Sequence, residues 1–181
     1  MSVRADFSHE VLQCHVLSIA VLGPGLPSWD VARSILGGEQ RYQRTEFEIP
    51  AVTWLPPTER RRVGKMVRLA LTVGNAAVRA AAIDASKVAT VFTSSSGDGD
   101  NCDAIFTTLA HNEKSERFIS PTRFHNSVHN APAGYWSIAN HCTLPSTSLC
   151  AYDASFAAGL VEACCQAMWT GEHILLISSD V

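Results

Sequence analysis

No pair of cysteines in this chain has the C-x-x-C spacing. The six present, Cys14, Cys102, Cys142, Cys150, Cys164 and Cys165, are scattered, apart from the adjacent Cys164 and Cys165 inside an apolar stretch. That spacing argues against a zinc ribbon or a thioredoxin-type pair and points to reduced thiols in a cytosolic protein. The start, Met1-Ser-Val-Arg-Ala-Asp-Phe7, lacks the apolar region of a signal peptide. No apolar run approaches the ~20 residues of a membrane span. Charge is also scarce: 17% of residues are charged, against about 25% in a typical soluble domain. Such a deficit is what a surface covered by a partner produces. The net charge of −3 excludes a general basic field for nucleic acid. The one basic cluster, Glu59-Arg-Arg-Arg-Val-Gly-Lys65, reads as the solvated first turn of a helix, with a patch for an acidic partner protein as the alternative.

What is present is enough for one packed domain. The 181 residues, 46% of them hydrophobic, can enclose a sizeable core. No repeat, linker or low-complexity stretch divides them, so a single domain over 1–181 is expected. Five short β-rich runs stand out: Val16–Leu22, closed by Gly23-Pro-Gly25; Thr45–Pro50, an edge strand because of the prolines that follow; Val88–Thr93; Ser146–Cys150; and Ile174–Ile177.

Helices separate these runs. Ser28 caps Trp29–Leu36, which Gly37-Gly38 ends. Over Arg60–Ile83 an apolar stripe of Val63, Met66, Val67, Ala70, Gly74, Ala77, Val78 and Ala81 faces away from Lys65, Arg68, Thr72, Asn75 and Arg79. Further helices follow the loop Ser94–Asp100, the Ser120-Pro121 cap and the Asn130-Ala-Pro132 signal. Ala154–Trp169 has almost no polar face and is expected to be buried all round. The order of elements predicts an α/β fold with a mostly parallel five-stranded sheet covered by helices.

Five places invite a chemical reading, each with a plainer rival. The Gly/Ser-rich turn Ser94–Asp100 lacks both the P-loop and the G-x-G-x-x-G pattern, and its acids repel phosphate. Asp98, Asp100 and Asp103 have neither the carboxylate spacing of a calcium loop nor its closing glutamate, and fit a helix N-terminus better. His125 and His129 have the i, i+4 spacing of zinc ligands, but H-E-x-x-H is absent, no third ligand is evident and the Asn130-Ala-Pro132 signal breaks the backbone, so no metal is expected. Cys150 sits at the end of a strand and reads as a buried structural thiol. Ser155 lacks a G-x-S-x-G elbow and reads as a helix-start serine. No convincing catalytic set emerges.

The order of motifs nevertheless resembles the N-terminal half of β-ketoacyl synthases, which have the thiolase fold. Val16-Leu-Ser-Ile-Ala-Val-Leu22 with Trp29 and Leu36-Gly-Gly38 resembles the opening strand and the helix ending in a glycine turn. Lys87-Val-Ala-Thr-Val-Phe-Thr-Ser-Ser-Ser-Gly97 resembles the "GVVVGSG" strand and loop. Asn130-Ala-Pro-Ala-Gly134 and Leu144-Pro-Ser146 match the approach to the nucleophile strand. Ala163-Cys-Cys-Gln-Ala-Met-Trp-Thr-Gly-Glu172 resembles the "ACQALRSGE" end of the nucleophile helix. Where that family carries its reactive cysteine, two registers place Asp153 or Ala154 here, and neither supplies a thiol. The family's two catalytic histidines belong to a C-terminal half that these residues do not include.

The likeness therefore implies a non-catalytic subunit similar to a chain-length factor. It would form a heterodimer with a full-length β-ketoacyl synthase and shape its acyl tunnel in polyketide or aryl polyene synthesis. Acyl carrier protein would be an indirect partner, no cofactor would be needed, and the setting would be cytoplasmic. Phe124–Trp136 resembles an N-terminal domain found in aryl polyene clusters. By that resemblance Phe118, Phe124, His125, Asn126, His129, Asn130, Tyr135 and Trp136 are expected at a partner or tunnel interface. Half of a two-layered fold is also expected to leave one sheet face and one edge for a partner to cover. The rival reading is a stand-alone acyltransferase or thioesterase using Cys150 or Ser155.

Overall fold

Three parallel strands, not five, form the sheet among the described residues, which are 13–111 and 113–181 of a computed structural model. In chain order the elements are α1 (Trp29–Leu36), α2 (Pro57–Arg60), α3 (Lys65–Ala80), β1 (Ala89–Thr93), α4 (Gly99–Leu109), α5 (Pro121–Asn126), α6 (Ala131–Asn140), β2 (Ser146–Leu149), α7 (Ser155–Thr170) and β3 (Ile174–Ser178). The sheet order is β2-β1-β3, with Val91 level with Thr147 on one side and Leu176 on the other. The α/β class and the parallel sheet stand as expected.

The central strand is apolar on both faces because both faces are covered. Val88, Phe92, Leu175 and Ile177 meet Val67, Ala70, Leu71 and Val78 of α3 and Tyr135 and Trp136 of α6 in one core. Val91 and Thr93, also buried, face the other way, toward α7, which packs on β1 and β3. Thr90, inside the first face, keeps its hydroxyl satisfied by donating to Ser146 Oγ of its ladder partner at 2.8 Å.

The runs Val16–Leu22 and Thr45–Pro50 are not strands. An apolar run becomes a strand only where a neighbour offers it a ladder, and neither has one. The first is an extended segment stretched between layers: Ser18 Oγ donates to Ala77 O of α3 at 2.8 Å, and Cys14 Sγ to Cys164 O of α7 at 3.6 Å. In the second stretch the burial passes to Val52 and Leu55 just beyond it. The long helix expected over Arg60–Ile83 is split. Arg60 is drawn back to the carbonyls of Thr53 and Leu55, and Gly64, extended, starts α3 afresh at Lys65.

A second correction concerns α7. It was expected to be buried all round, but only Ser155, Gly159 and Ala163 are, one stripe at four-residue spacing. Phe156, Leu160, Val161, Met168 and Trp169 are exposed, Trp169 at 91%. Apolar composition reports how much of a helix can be buried, not how much the described residues cover. The bare surface is therefore the outside of α7 and the two outer sheet edges, instead of a sheet face.

The helices approach the sheet through glycines. A Cβ on Gly74 would lie 2.6 Å from Ile177 Cδ1 and 2.8 Å from Trp136 Cζ3, and one on Gly159 would overlap Thr93 Cγ2. Gly134, inside α6, meets nothing within 4 Å. Accordingly Gly159→Ala and Gly74→Ala should each lose about 1–3 kcal/mol to overpacking, outweighing the helix-propensity gain of alanine. Gly134→Ala should gain about 0.5–1 kcal/mol. Urea midpoints of the three variants check the contrast.

Candidate functional site

Polar side chains gather at the C-terminal ends of the three parallel strands, the place where open α/β sheets carry their ligand-binding loops. The chain leaves β1 through Ser94–Gly97, leaves β2 through Cys150–Ala154, and leaves β3 through Ser179–Val181. One carboxylate ties the first and third exits together. Asp180 Oδ1 accepts from Ser94 Oγ at 2.7 Å, Ser95 N at 2.8 Å, Ser96 N at 3.1 Å and Ser96 Oγ at 3.3 Å. Burial pushes the Asp180 carboxyl up, but these four donors together hold it below the usual carboxylate range. Ser94 Oγ in turn accepts from Gly97 N, a left-handed residue that closes the turn.

The β2 exit is a strand-to-helix elbow. Ala151 leads into a short 3-10 turn, Tyr152–Ala154, before α7 begins at Ser155. Tyr152 holds φ +52, a left-handed value that costs a non-glycine residue roughly 1 kcal/mol. Ser155 sustains it. Its buried Oγ accepts from Ala151 N at 2.9 Å and donates to Tyr152 O at 2.6 Å. That hydroxyl donates to and accepts from the backbone at once, which is a clamp's arrangement. Asp153 and Ala154, the two bracketed positions, lie exposed in the turn. Cys150 is exposed, not buried as its place at a strand end implied, because it stands just past the last ladder residue; its thiol donates to Ser95 O at 3.5 Å.

The other expected site residues divide into two groups. Tyr135 and Trp136 are core, at 2% and 1% exposure, and His125 meets Tyr135 edge-on at 5.8 Å. Burial, and after it the Glu59 carboxylate, push the Tyr135 hydroxyl up, so it stays neutral. Asn126 is buried and donates to Arg62 O at 2.6 Å. Phe118 and Phe124, by contrast, are 79% and 65% exposed. His125 and His129 do not share a helix, since α5 ends at Asn126. His129 Nε2 lies 3.5 Å from Ser94 O, and no metal-holding cluster occurs among the described residues. Asn130 opens α6 and lines, with Ala133, Gly134, Ser137, Ser146 and Ser148, an open groove of about 410 Å³ beside the free edge of β2. Asp98 accepts from Asn101 N at 3.1 Å as a helix cap, the plain reading of that acidic stretch.

Sequence reading missed Asp180. Its only signal was the polar Ser178-Ser-Asp180 that ends an apolar strand opposite a serine run, and a pairing of that kind is legible only once β1 and β3 are known to be neighbours.

The family model described as β-ketoacyl synthase, N-terminal domain, matches residues 37–181. Among solved structures, a ketosynthase in complex with its chain length factor, from Xenorhabdus doucetiae, is similar over 90% of this chain at 27% identity and a TM-score of 0.69. A β-ketoacyl synthase from Burkholderia phymatum STM815 is similar over 88% at 17% identity and a TM-score of 0.62, a likeness of fold. The chain spans 65% of the first matched chain and 45% of the second. No curated protein sequence matches it. No helix among the described residues is long and apolar enough to cross a membrane.

The elbow and the Asp180 clamp give two expectations. Ser155→Ala should cost about 1–3 kcal/mol, because it strands the Ala151 N–H, as read by thermal or urea unfolding. Asp180 has a folded-state pKa below its unfolded one. Its contribution is therefore complete above the unfolded carboxylate range and is lost as pH falls through the folded value. Asp180→Asn should lower stability at pH 7 and flatten the acid limb of the stability curve below about pH 4.

Proposed function

The chain belongs to the β-ketoacyl synthase N-terminal domain family, and on that premise we propose that it is a non-catalytic, chain-length-factor-like subunit. It pairs with an active β-ketoacyl synthase and helps shape the acyl tunnel of that partner in polyketide or aryl polyene assembly. The observation that carries this reading is the elbow. It keeps a strand, a strained turn and an apolar helix, and the registers that the resemblance gives put Asp153 or Ala154 where the family's thiol stands. A methyl group cannot attack a thioester. An exposed carboxylate would give a mixed anhydride, not the thioester from which decarboxylative condensation proceeds.

Surface chemistry supports a partner. The outer side of α7 exposes Phe156, Leu160, Val161, Met168 and Trp169, apolar surface of the kind that partners cover. Phe118 and Phe124 stand out where aromatic anchors enter a neighbour's pockets. Tyr135 and Trp136, in the core, would set wall shape through packing. Acyl carrier protein is engaged through the synthase, and no cofactor takes part.

One observation favours the rival enzyme reading: Cys150 is exposed and therefore accessible to an acyl donor. Ser155 loses that candidacy because its hydroxyl is buried and its proton is held by the Tyr152 carbonyl.

The deciding experiment reconstitutes the chain with a ketosynthase from its own gene neighbourhood, carrier protein and malonyl donor. The chain alone should form no condensation product, and the mixture should give longer or more uniform chains than the synthase alone. Normal elongation by the synthase without this chain sinks the proposal. Phe118→Glu with Phe124→Glu should weaken the complex at least about tenfold, near 1.4 kcal/mol or more, by titration calorimetry. Cys150→Ala should leave the product profile of the complex unchanged; loss of turnover together with an iodoacetamide adduct at Cys150 would establish the rival.

A further inference from the structure

Two thiols that are 150 residues apart in sequence meet where the extended segment 13–22 crosses α7. Cys14 Sγ donates to the Cys164 carbonyl oxygen at 3.6 Å. Interaction with the Cys14 side chain, ahead of burial, pushes the Cys164 thiol up. Cys14 is exposed and Cys164 partly buried. The remaining cysteines are engaged elsewhere or stand apart: Cys142 is buried against Val88 O, Cys150 donates to Ser95 O, and Cys102 lies on α4. Cys165, next along α7, is exposed.

The location gives this pair consequence. Among the described residues, segment 13–22 lies in no sheet, and the side-chain hydrogen bonds that tie it to the helices are the Cys14 contact and the Ser18–Ala77 bond. Val16, Leu17 and Ile19 on it are exposed. Cys164 sits one turn from Leu160, Val161 and Met168 of the bare apolar stripe of α7. A bond at this point would pin the segment along the border of that stripe.

We propose that Cys14 and Cys164 are an oxidation site: hydrogen peroxide converts them to a reversible disulfide that fastens segment 13–22 onto α7. Exposure makes Cys14 the sulfur that meets peroxide first. Its thiolate attacks one peroxide oxygen, forming an S–O bond as the O–O bond breaks, and the departing hydroxide takes a proton to become water. The Cys164 sulfur then attacks the Cys14 sulfenic acid, forming the S–S bond and releasing the second water as its thiol proton leaves. Two thiols thus give two electrons and two protons to one peroxide. A dithiol reverses the bond by exchange. A cross-link that closes so long a loop restricts the unfolded chain strongly, which raises stability unless geometry strains it.

The test needs only the purified chain. After peroxide treatment and iodoacetamide blocking, digestion without reductant should yield one linked pair of peptides, carrying Cys14 and Cys164. The free-thiol count should fall by two from six, the thermal midpoint should rise by about 5 °C or more, and dithiothreitol should undo both changes. Cys14→Ser and Cys164→Ser should each abolish the link, while Cys165→Ser keeps it. Six thiols still titrating after peroxide would overturn the proposal. So would a link mapped to Cys165, or irreversible oxidation of Cys14 without a cross-link. Because no synthase takes part, failure here leaves the proposed subunit role standing, and the reverse holds as well.

Discussion

Everything in this fold depends on how closely two helices come to a narrow sheet. With three strands among the described residues, β1 must be sealed on both faces by single layers, and the layers seal it because Gly74 and Gly159 have no side chains to hold them off. Gly74 lets Ile177 and Trp136 fill the space a methyl would take, and Gly159 does the same for Thr93 and Leu176. The cost of two glycines inside helices, about 1 kcal/mol each against alanine, is offset by dense packing around β1. The same close seating places the start of α7 at the end of β2, and so fixes the geometry of the elbow.

Much of this was legible in the sequence. The caps at Ser28 and Asp98 and the prolines that open α5 and α6 are local signals, and the helices stand where those signals put them. The three strands that exist were visible for the same reason. Val16–Leu22 and Thr45–Pro50 were misread because a strand is a relation between two segments, and a single run of β-branched residues does not contain its partner. The surfaces of α7 were misread for a related reason: its composition is that of a covered helix, but cover is supplied by whatever lies opposite. Phe118, Phe124, Tyr135 and Trp136 were read as one group, and no sequence pattern separated the buried Tyr135 and Trp136 from the exposed Phe118 and Phe124. The Asp180 clamp joins residues more than eighty positions apart and could not be read at all.

The elbow separates architecture from chemistry. Ser155 holds a left-handed Tyr152 by occupying both neighbouring backbone groups, so the strain is maintained by hydrogen bonding within the turn and owes nothing to a reacting side chain. A junction of this kind keeps its shape when the residue at its tip changes.

The Asp180 clamp also bears on how the protein is made. β1 and β2 can pair once residue 149 has left the ribosome, but the serine turn after β1 finds its carboxylate only when residue 180 has emerged. Until then the rim of the sheet stays unlatched and α7 has only part of its seat. Vectorial synthesis thus places closure of the serine turn after the pairing of β1 with β2, and the long sequence separation of the Asp180 contact makes it slow to form.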